Sequence, residues 1–421
     1  MLQLPCRDRE LQVGRGPLLL SQLDSGPGLT AHRAHFGDVP ERTLPQLLDA
    51  ARLGGVRGRG GAGFPLARKL EAVSAGRRPV VVVNAAEGEP ASAKDSALLR
   101  TVPHLVLDGA HVAARALGAR EVHVVTATDR PETGRALEAA LAERGRRPVT
   151  WTHHVAEPRF VSGQSRAVLE LMAGRAGLPV TSWVPEATSG HRGRPTLLSN
   201  AETFAHLAVL AARGVECYTG HGTSAEPGTT LLTVTREQDD GRRSSHVVEV
   251  AHGEPLAAVL GSPELERPVL AGGYHGTWVA PQQLRGLRVS ATAFREQGLT
   301  LGAGVLLPGS DRTCPVAVTT RVTDYLARQS AGRCGPCHEG LPALAQAVAR
   351  LRGGSDTRPR IRELTGLVTR RGACAHPDGT ARMVSSLLTG LPEAVQAHLE
   401  GACSCAARGR AAAYEERSER S

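Results

Sequence analysis

The residues with the clearest chemical potential are thiols. Cys334 and Cys337 flank Gly335 and Pro336 in a C-x-x-C turn within Ser330–Gly340, and Cys374 follows 37 residues after Cys337. Such a turn aims two thiolates at one point, and a third Cys arriving from another helix makes three ligands. Zinc would take four N/S ligands with a His among them, whereas an iron–sulfur cluster would take thiolates. The chain holds eight Cys: Cys6, Cys217, Cys314, Cys334, Cys337, Cys374, Cys403 and Cys405. A long chain with no basic-then-apolar start should keep them reduced, so their clustering points to metal or redox chemistry rather than to disulfides.

Three other stretches concentrate polar groups. Gly58-Arg59-Gly60-Gly61-Ala62-Gly63-Phe64-Pro65 matches G-x-G-x-x-G. The dinucleotide reading of that pattern requires a preceding strand, and the segment before it, 44–53, reads as a helix. The glycines still let backbone N–H groups approach a ligand closely, and Arg59 and Lys69 add charge for a phosphate. A purely structural turn is the other reading. Val80–Val83 reads as a buried strand that delivers Asn84, Glu87, Glu89 and Lys94 at its carboxyl end, where parallel α/β sheets bind ligands. In Gly193–Thr203, Asn200 either caps the next helix or meets a ligand.

Only two Lys (Lys69, Lys94) stand against 48 Arg, with two Asn (Asn84, Asn200) and one Ile (Ile361). GC-rich coding explains the skew. It also marks the surviving Lys and Asn, all of which fall in these stretches, as chemically required. The net charge of +9 is dispersed, and 3% aromatic residues is too few for base stacking, which argues against nucleic-acid binding. A basic surface suits an acidic protein partner. No run approaches 18 apolar residues, so no membrane insertion and a cytoplasmic location are expected.

The elements that must position these groups alternate. Helical periodicity over 44–53, 96–117, 131–144 and 164–175 is interleaved with strands at 79–83, 121–127 and 148–155, with a further helix over 200–213. This predicts a mostly parallel sheet covered by helices. A small, mostly β region fits 222–309, and helices are predicted near 319–329, 339–353, 359–370 and 380–400. Residues 1–42 carry no clear pattern.

Arg57–Pro65, Asn84–Pro90, Pro195–Thr203 and Ser330–Gly340, in this order and spacing, make the chain resemble the NADH-binding flavoprotein subunit of respiratory complex I and its soluble hydrogenase and formate dehydrogenase relatives. The resemblance covers roughly residues 45–400. It implies an α/β multidomain fold. After an N-terminal segment, 1–42, come an FMN/NADH-binding domain over 43–215 and a ubiquitin-like β-grasp domain over 216–309. A four-helix iron–sulfur domain over 310–405 and a disordered tail, 406–421, complete the chain. It further implies that Gly58, Arg59, Gly60, Gly61, Gly63 and Lys69 cradle FMN. Asn84, Asn200 and Thr203 bind its polar groups, with Gly163 beside the cofactor. Phe64, Glu87 and Glu89 face NADH, the two Glu being the catalytic candidates. Cys334, Cys337 and Cys374 ligate a [4Fe-4S] or [3Fe-4S] cluster.

The departures from the family are specific. Ala331 replaces the first Cys of C-x-x-C-x-x-C, leaving Cys314, Cys403, Cys405, His338, His376 or water as fourth ligand. Ala86 replaces an Asp, Gly163-Gln164-Ser165 replaces Gly-Glu-Glu, and Ala72 and Val184-Pro185 stand where adenine-stacking aromatics are usual. The implied function is an NADH dehydrogenase-type enzyme passing electrons through FMN and the cluster to an iron–sulfur partner, soluble or peripheral to a membrane complex. The alternatives are a flavin module served by a ferredoxin-like partner, with NADH use lost, and a non-catalytic scaffold.

Overall fold

A computed structural model describes residues 11–145, 148–237, 243–310 and 313–403. Cys6, Cys405 and the tail 406–421 lie outside the described residues. Among the described residues, those up to Pro255, with Arg288–Ser290 and Gly302–Val305, form one compact unit. Leu256–Leu287, Ala291–Leu301 and those from Leu306 onward form a second.

The first unit begins with strand β1 (Leu11–Val13) and helices α1 (Leu29–Phe36), α2 (Leu44–Leu53) and α3 (Leu66–Ser74). Then β2 (Val80–Asn84), α4 (Lys94–Thr101), α5 (Pro103–Leu117), β3 (Glu121–Ala127), α6 (Pro131–Glu143) and β4 (Thr150–Ala156) alternate. Helix α7 (Ser165–Met172), β5 (Thr196–Asn200) and α8 (Ala201–Thr219) follow, and the strands β6 (Thr229–Glu237) and β7 (Arg243–Ala251) end this run. Strands β2 to β5 form one parallel sheet in the order β4-β3-β2-β5. Its both-face burial is written into β2: Val81 and Val83 join the core formed with α5 and α8, while Val80 and Val82 join Val168, Leu169 and Met172 of α7 on the other face. Gly109 of α5 lets α8 come close, since a Cβ there would stand 1.8 Å from Phe204 O.

The stretch 96–117 is two helices. Pro103 opens α5, and the residue before it, Val102, is held at φ −137°, ψ 49°, outside the helical region. Residues 11–36 belong to this unit. Strand β1 pairs in parallel with β7, and buried Glu249 of β7 accepts the N–H groups of Leu18, Leu19 and Leu20 at 2.9–3.2 Å.

The second unit contains α9 (Ser262–Leu265), β8 (Val269–Ala271), β9 (Thr277–Val279), α10 (Pro281–Leu284) and α11 (Ala291–Glu296). Strand β10 (Val305–Pro308), from its second residue onward, and helices α12 (Pro315–Arg328), α13 (Leu341–Arg352), α14 (Arg358–Val368), α15 (His376–Gly390) and α16 (Pro392–Leu399) complete it. Strand β8 pairs antiparallel with β9 and β10. Trp278 of β9 fastens this small sheet to the helices, its indole N–H donating to Thr319 Oγ1 and its backbone N–H to Ser386 Oγ. Residues 380–400, like 96–117, are split by a proline: Leu391, before Pro392, sits at φ −132°, ψ 49°.

Candidate functional site

Chain order runs outward from β2 through β3 to β4, then returns to place β5 on the other side of β2. The reversal lies between β2 and β5, and ligands of open parallel sheets bind outside the carboxyl ends of the strands at such a point. Asn84 and Asn200 are register partners there. Asn200 caps α8, its Oδ1 accepting the N–H of Glu202 at 3.1 Å. The same Oδ1 accepts from Lys94 Nζ at 2.7 Å, and its Nδ2 donates to Asp95 Oδ2 at 2.6 Å and to the Asn84 carbonyl at 3.3 Å. The capping reading of Asn200 is the one the structure shows, and the rest of its amide is spent on Lys94, Asp95 and the Asn84 carbonyl.

Lys94 is buried and also reaches Glu202 at 2.9 Å and Asp95 at 3.3 Å. Burial alone would favour neutral Lys94, but Asp95 and Glu202 outweigh it and hold the ammonium charged. Asp95 is raised to about 6, by burial first, with Lys94 opposing. Sequence reasoning gave Asp95 and Glu202 no role; their partners are far along the chain, and the rarity of Lys was the only signal.

The glycine loop follows α2 and arches toward this strand end. A Cβ on Gly60 would meet only Asn200 Cβ, at 3.9 Å, and one on Gly63 would meet nothing within 4 Å. Gly61 and Gly63 sit at φ 94° and 62°, which glycine adopts without strain. The open backbone beside Asn200 is a cradle for a flat ligand. Lys69 Nζ donates to Leu198 O at 2.9 Å and lies 3.4 Å from Glu186, which leaves a third N–H for an anion. Gly58 and Phe64 brace the loop, Gly58 N donating to Phe64 O, and the Phe64 ring is half exposed.

Two expected ligand contacts are corrected. The Arg59 guanidinium turns inward, donating to Thr229 O at 2.9 Å and standing 3.9 Å from Glu202. Thr203 is fully buried, and its hydroxyl accepts the Arg59 N–H at 3.0 Å. Both hold the loop in place.

Glu87 is the third correction. Its side chain is 1% exposed, and its carboxylate accepts from Ser92 Oγ, Asp95 N, Ser96 N and Ser96 Oγ at 2.7–3.2 Å, with Arg130 at 3.3 Å. It sits at the N-terminus of α4, where a negative charge is favoured. Burial opposes its ionisation, but Arg130 and these donors overcome it and depress its pKa. It braces the start of α4, which carries Lys94 and Asp95. Glu89 is only partly buried and accepts Ala91 N at 3.2 Å. Asn84 Nδ2 donates to Gly163 O at 2.7 Å, and Gly88 lies against the 159–163 turn, where a Cβ would come 2.5 Å from Phe160 O. Gly163 thus frames the site through its backbone. Trp183 and Val184 are 94% and 46% exposed.

In the second unit, Cys334 Sγ–H donates to Cys337 Sγ at 3.3 Å. Burial pushes the Cys337 thiol up. The Arg333 N–H, the Cys334 thiol and the N–H groups of Gly332 and Cys334 pull it down by more, a nest suited to a thiolate. Gly340 packs directly on Val368 of α14, since a Cβ there would stand 2.3 Å from Val368 Cγ1. The 369–375 connection that carries Cys374 leaves from that contact. Ala331 is buried and offers no donor. His376 is committed elsewhere: its Nε2 donates to Leu326 O at 2.8 Å, and its Nδ1 lies 3.1 Å from His275 Nε2. Cys314 and Cys403 gather around His398. His338 is exposed.

Comparison with known proteins gives the same division. Residues 52–209 match the family model of the Nuo51 FMN-binding domain, and residues 317–398 match the NADH-ubiquinone oxidoreductase-F iron–sulfur binding region. An F subunit of the NADH-quinone oxidoreductase of Rhizobium meliloti is 27% identical over 407 residues, covering 91% of this chain and 94% of its own. The F subunit of the Mycobacterium tuberculosis enzyme is 27% identical over 395 residues, covering 85% and 86%. Among solved structures, an NAD+-reducing [NiFe]-hydrogenase in the H2-reduced state superposes with a TM-score of 0.79 at 25% identity, covering 92% of this chain and 67% of its own. With both cofactor regions matched, and with the glycine loop, the Asn pair and the thiol turn in place, the chain is similar to the F subunits of NADH-quinone oxidoreductases over most of its length.

Proposed function

We propose that the chain is an electron-transfer flavoprotein that oxidises NADH through FMN and passes the electrons, by way of an iron–sulfur cluster, to a partner. The observation that carries this reading is the switch point itself. Asn84 and Asn200 stand side by side at the ends of β2 and β5, under a glycine loop with open backbone and beside a Lys69 ammonium with an N–H to spare. When bound, FMN supplies the exchange between two-electron hydride chemistry and one-electron transfer.

The protein's own residues bind and orient. Gly60, Gly61 and Gly63 present N–H groups, Gly58 braces the loop, Lys69 meets the phosphate, and Asn84 and Asn200 line the strand ends beneath the flavin. Thr203 and Arg59 fix the loop, and the Lys94–Asp95–Glu202 network fixes Asn200. Phe64 and Glu89 meet NADH. Ala86, Gln164 and Ser165 remove carboxylates, and Ala72 removes a stacking surface, so NADH is held more weakly than in relatives that keep those groups. Cys334, Cys337 and Cys374 hold the cluster, with the Ala331 corner unligated by Cys.

The divisions at 43–215, 216–309 and 310–405, with a β-grasp middle domain and a helical bundle around the cluster, belong to the same proposal. An iron–sulfur protein is the expected partner, with peripheral attachment to a larger complex. Among the described residues no helix is long and apolar enough to cross a membrane.

The test is an absorption spectrum of the anaerobically purified, iron-reconstituted chain before and after NADH. A flavin band that bleaches is the expected result. A flavin band that stays unbleached overturns NADH as donor and moves that role to a ferredoxin-like protein. Absence of bound flavin overturns the pocket.

A further inference from the structure

Cys314, His398 and Cys403 place one ligand atom each within 4.8 Å of one another, away from the thiol turn. Cys314 immediately precedes α12, whereas Ala331 and Cys334 lie beyond its other end. A helix of 14 residues at 1.5 Å per residue spans roughly 20 Å, so the two thiol sites sit at opposite ends of α12.

The geometry points to a mononuclear zinc site at Cys314, His398 and Cys403, separate from the iron–sulfur cluster, and we propose that it ties the end of α16 to the start of α12. His398 Nε2 donates to Arg352 O at 2.8 Å. That bond fixes the tautomer and turns the Nδ1 lone pair toward Cys314 Sγ, 3.7 Å away. A metal-bound His oriented by a backbone carbonyl is the usual outer-sphere arrangement. Tetrahedral zinc with Zn–S of about 2.3 Å and Zn–N of about 2.05 Å puts sulfur and nitrogen about 3.6 Å apart, close to the spacing already present.

Local sequence builds the site. Pro315 keeps Cys314 extended, at φ −97°, ψ 120°, and its thiol makes no capping bond to α12. Cys314 and His398 are 7% and 1% exposed, and Cys403 is half-buried, so the fourth position opens to water. Two sulfurs and an imidazole this close fit one borderline-soft ion. The ligands of a cluster bind different irons and stand further apart.

The test uses the full chain, purified anaerobically with zinc supplied, and reads zinc and iron separately by mass spectrometry of the elements. About one zinc per chain is expected. Cys403→Ser and His398→Gln should each lose most of it without changing iron or flavin content, and Cys374→Ser should lower iron and leave zinc. Zinc that persists in both site variants, or that disappears with Cys374→Ser, overturns the assignment. Because a variant can fail to fold, cobalt is also loaded into the wild-type chain. Thiolate-to-cobalt charge-transfer bands and intense tetrahedral d–d bands support the site, and their absence overturns it.

Discussion

Asn200 donates its amide to the main-chain carbonyl of Asn84 across the gap between β5 and β2, so the two asparagines that flank the switch point are held by one hydrogen bond. Asn200 is also the cap of α8 and a partner of Lys94 and Asp95. Replacing it with Ala removes the cap and leaves two buried charged groups short of a partner. We expect Asn200→Ala to lower stability by about 2–4 kcal/mol, measured by urea unfolding, and to lower flavin content. Asn84→Ala and Lys69→Ala should lower flavin content with a smaller loss of stability, because fewer buried partners depend on them. Unchanged flavin content in these two would remove them from the pocket.

Gly88 and Gly366 predict opposite outcomes for the same substitution. A Cβ on Gly88 meets Phe160 O at 2.5 Å and Gly163 N at 3.0 Å, so Gly88→Ala must push two backbones apart, at a cost of about 1–3 kcal/mol. Because Asn84 bonds to Gly163 O, flavin binding should weaken with it. Gly366 lies exposed within α14 with nothing near its built Cβ, and Gly366→Ala should stabilise the second unit by about 0.5–1 kcal/mol. Thermal unfolding of both variants against wild type checks the pair of signs.

The parallel sheet, the strand-end position of Asn84 and the cap position of Asn200 were legible because each rests on local pattern: a Val run, helical periodicity, a polar residue at an element boundary. Side-chain direction was not legible where the deciding partner lies far along the chain. Arg59 turns inward because Thr229 O is 170 residues away in sequence but adjacent in space. Glu87 is spent on Arg130 and on its own downstream helix start. Cys314 and His398 are separated by 84 residues. The breaks at Val102 and Leu391 came from prolines that helical periodicity alone passes over.

Buried histidines set the acid limit of the first unit. His104, His123 and His206 are each lowered to about 4 and His252 to about 3, all chiefly by burial. A lowered imidazole pKa means the fold binds the neutral ring. The stability it contributes is present above the unfolded value near 6.5 and is lost as pH falls toward the folded value. Asp95, raised to about 6, works in the opposite direction, losing its contribution as pH rises. Burial raises Glu249 as well, and four rings outweigh two carboxyls, so the urea midpoint should fall between pH 7.5 and pH 5. His206→Leu should flatten that slope, and a slope unchanged by it would mean His206 protonates freely in the fold.

The cluster turns on one atom missing at Ala331. On the proposed ligand set of Cys334, Cys337 and Cys374, the fourth iron has no Cys, so wild-type protein should retain close to three irons per chain and lose the fourth on oxidation. Cys374→Ser removes a corner that nothing replaces and should abolish the low-temperature EPR signals of the cluster in both the oxidised and the reduced protein. Ala331→Cys works the other way. Ala331 is buried three residues before Cys334, and on the proposed ligand set a thiol there supplies the ligand that the turn lacks. Iron content should rise toward four and stay there through oxidation, and the reduced protein should show the signal of a four-iron cluster. Iron content unchanged by Ala331→Cys would mean that another group already occupies that corner.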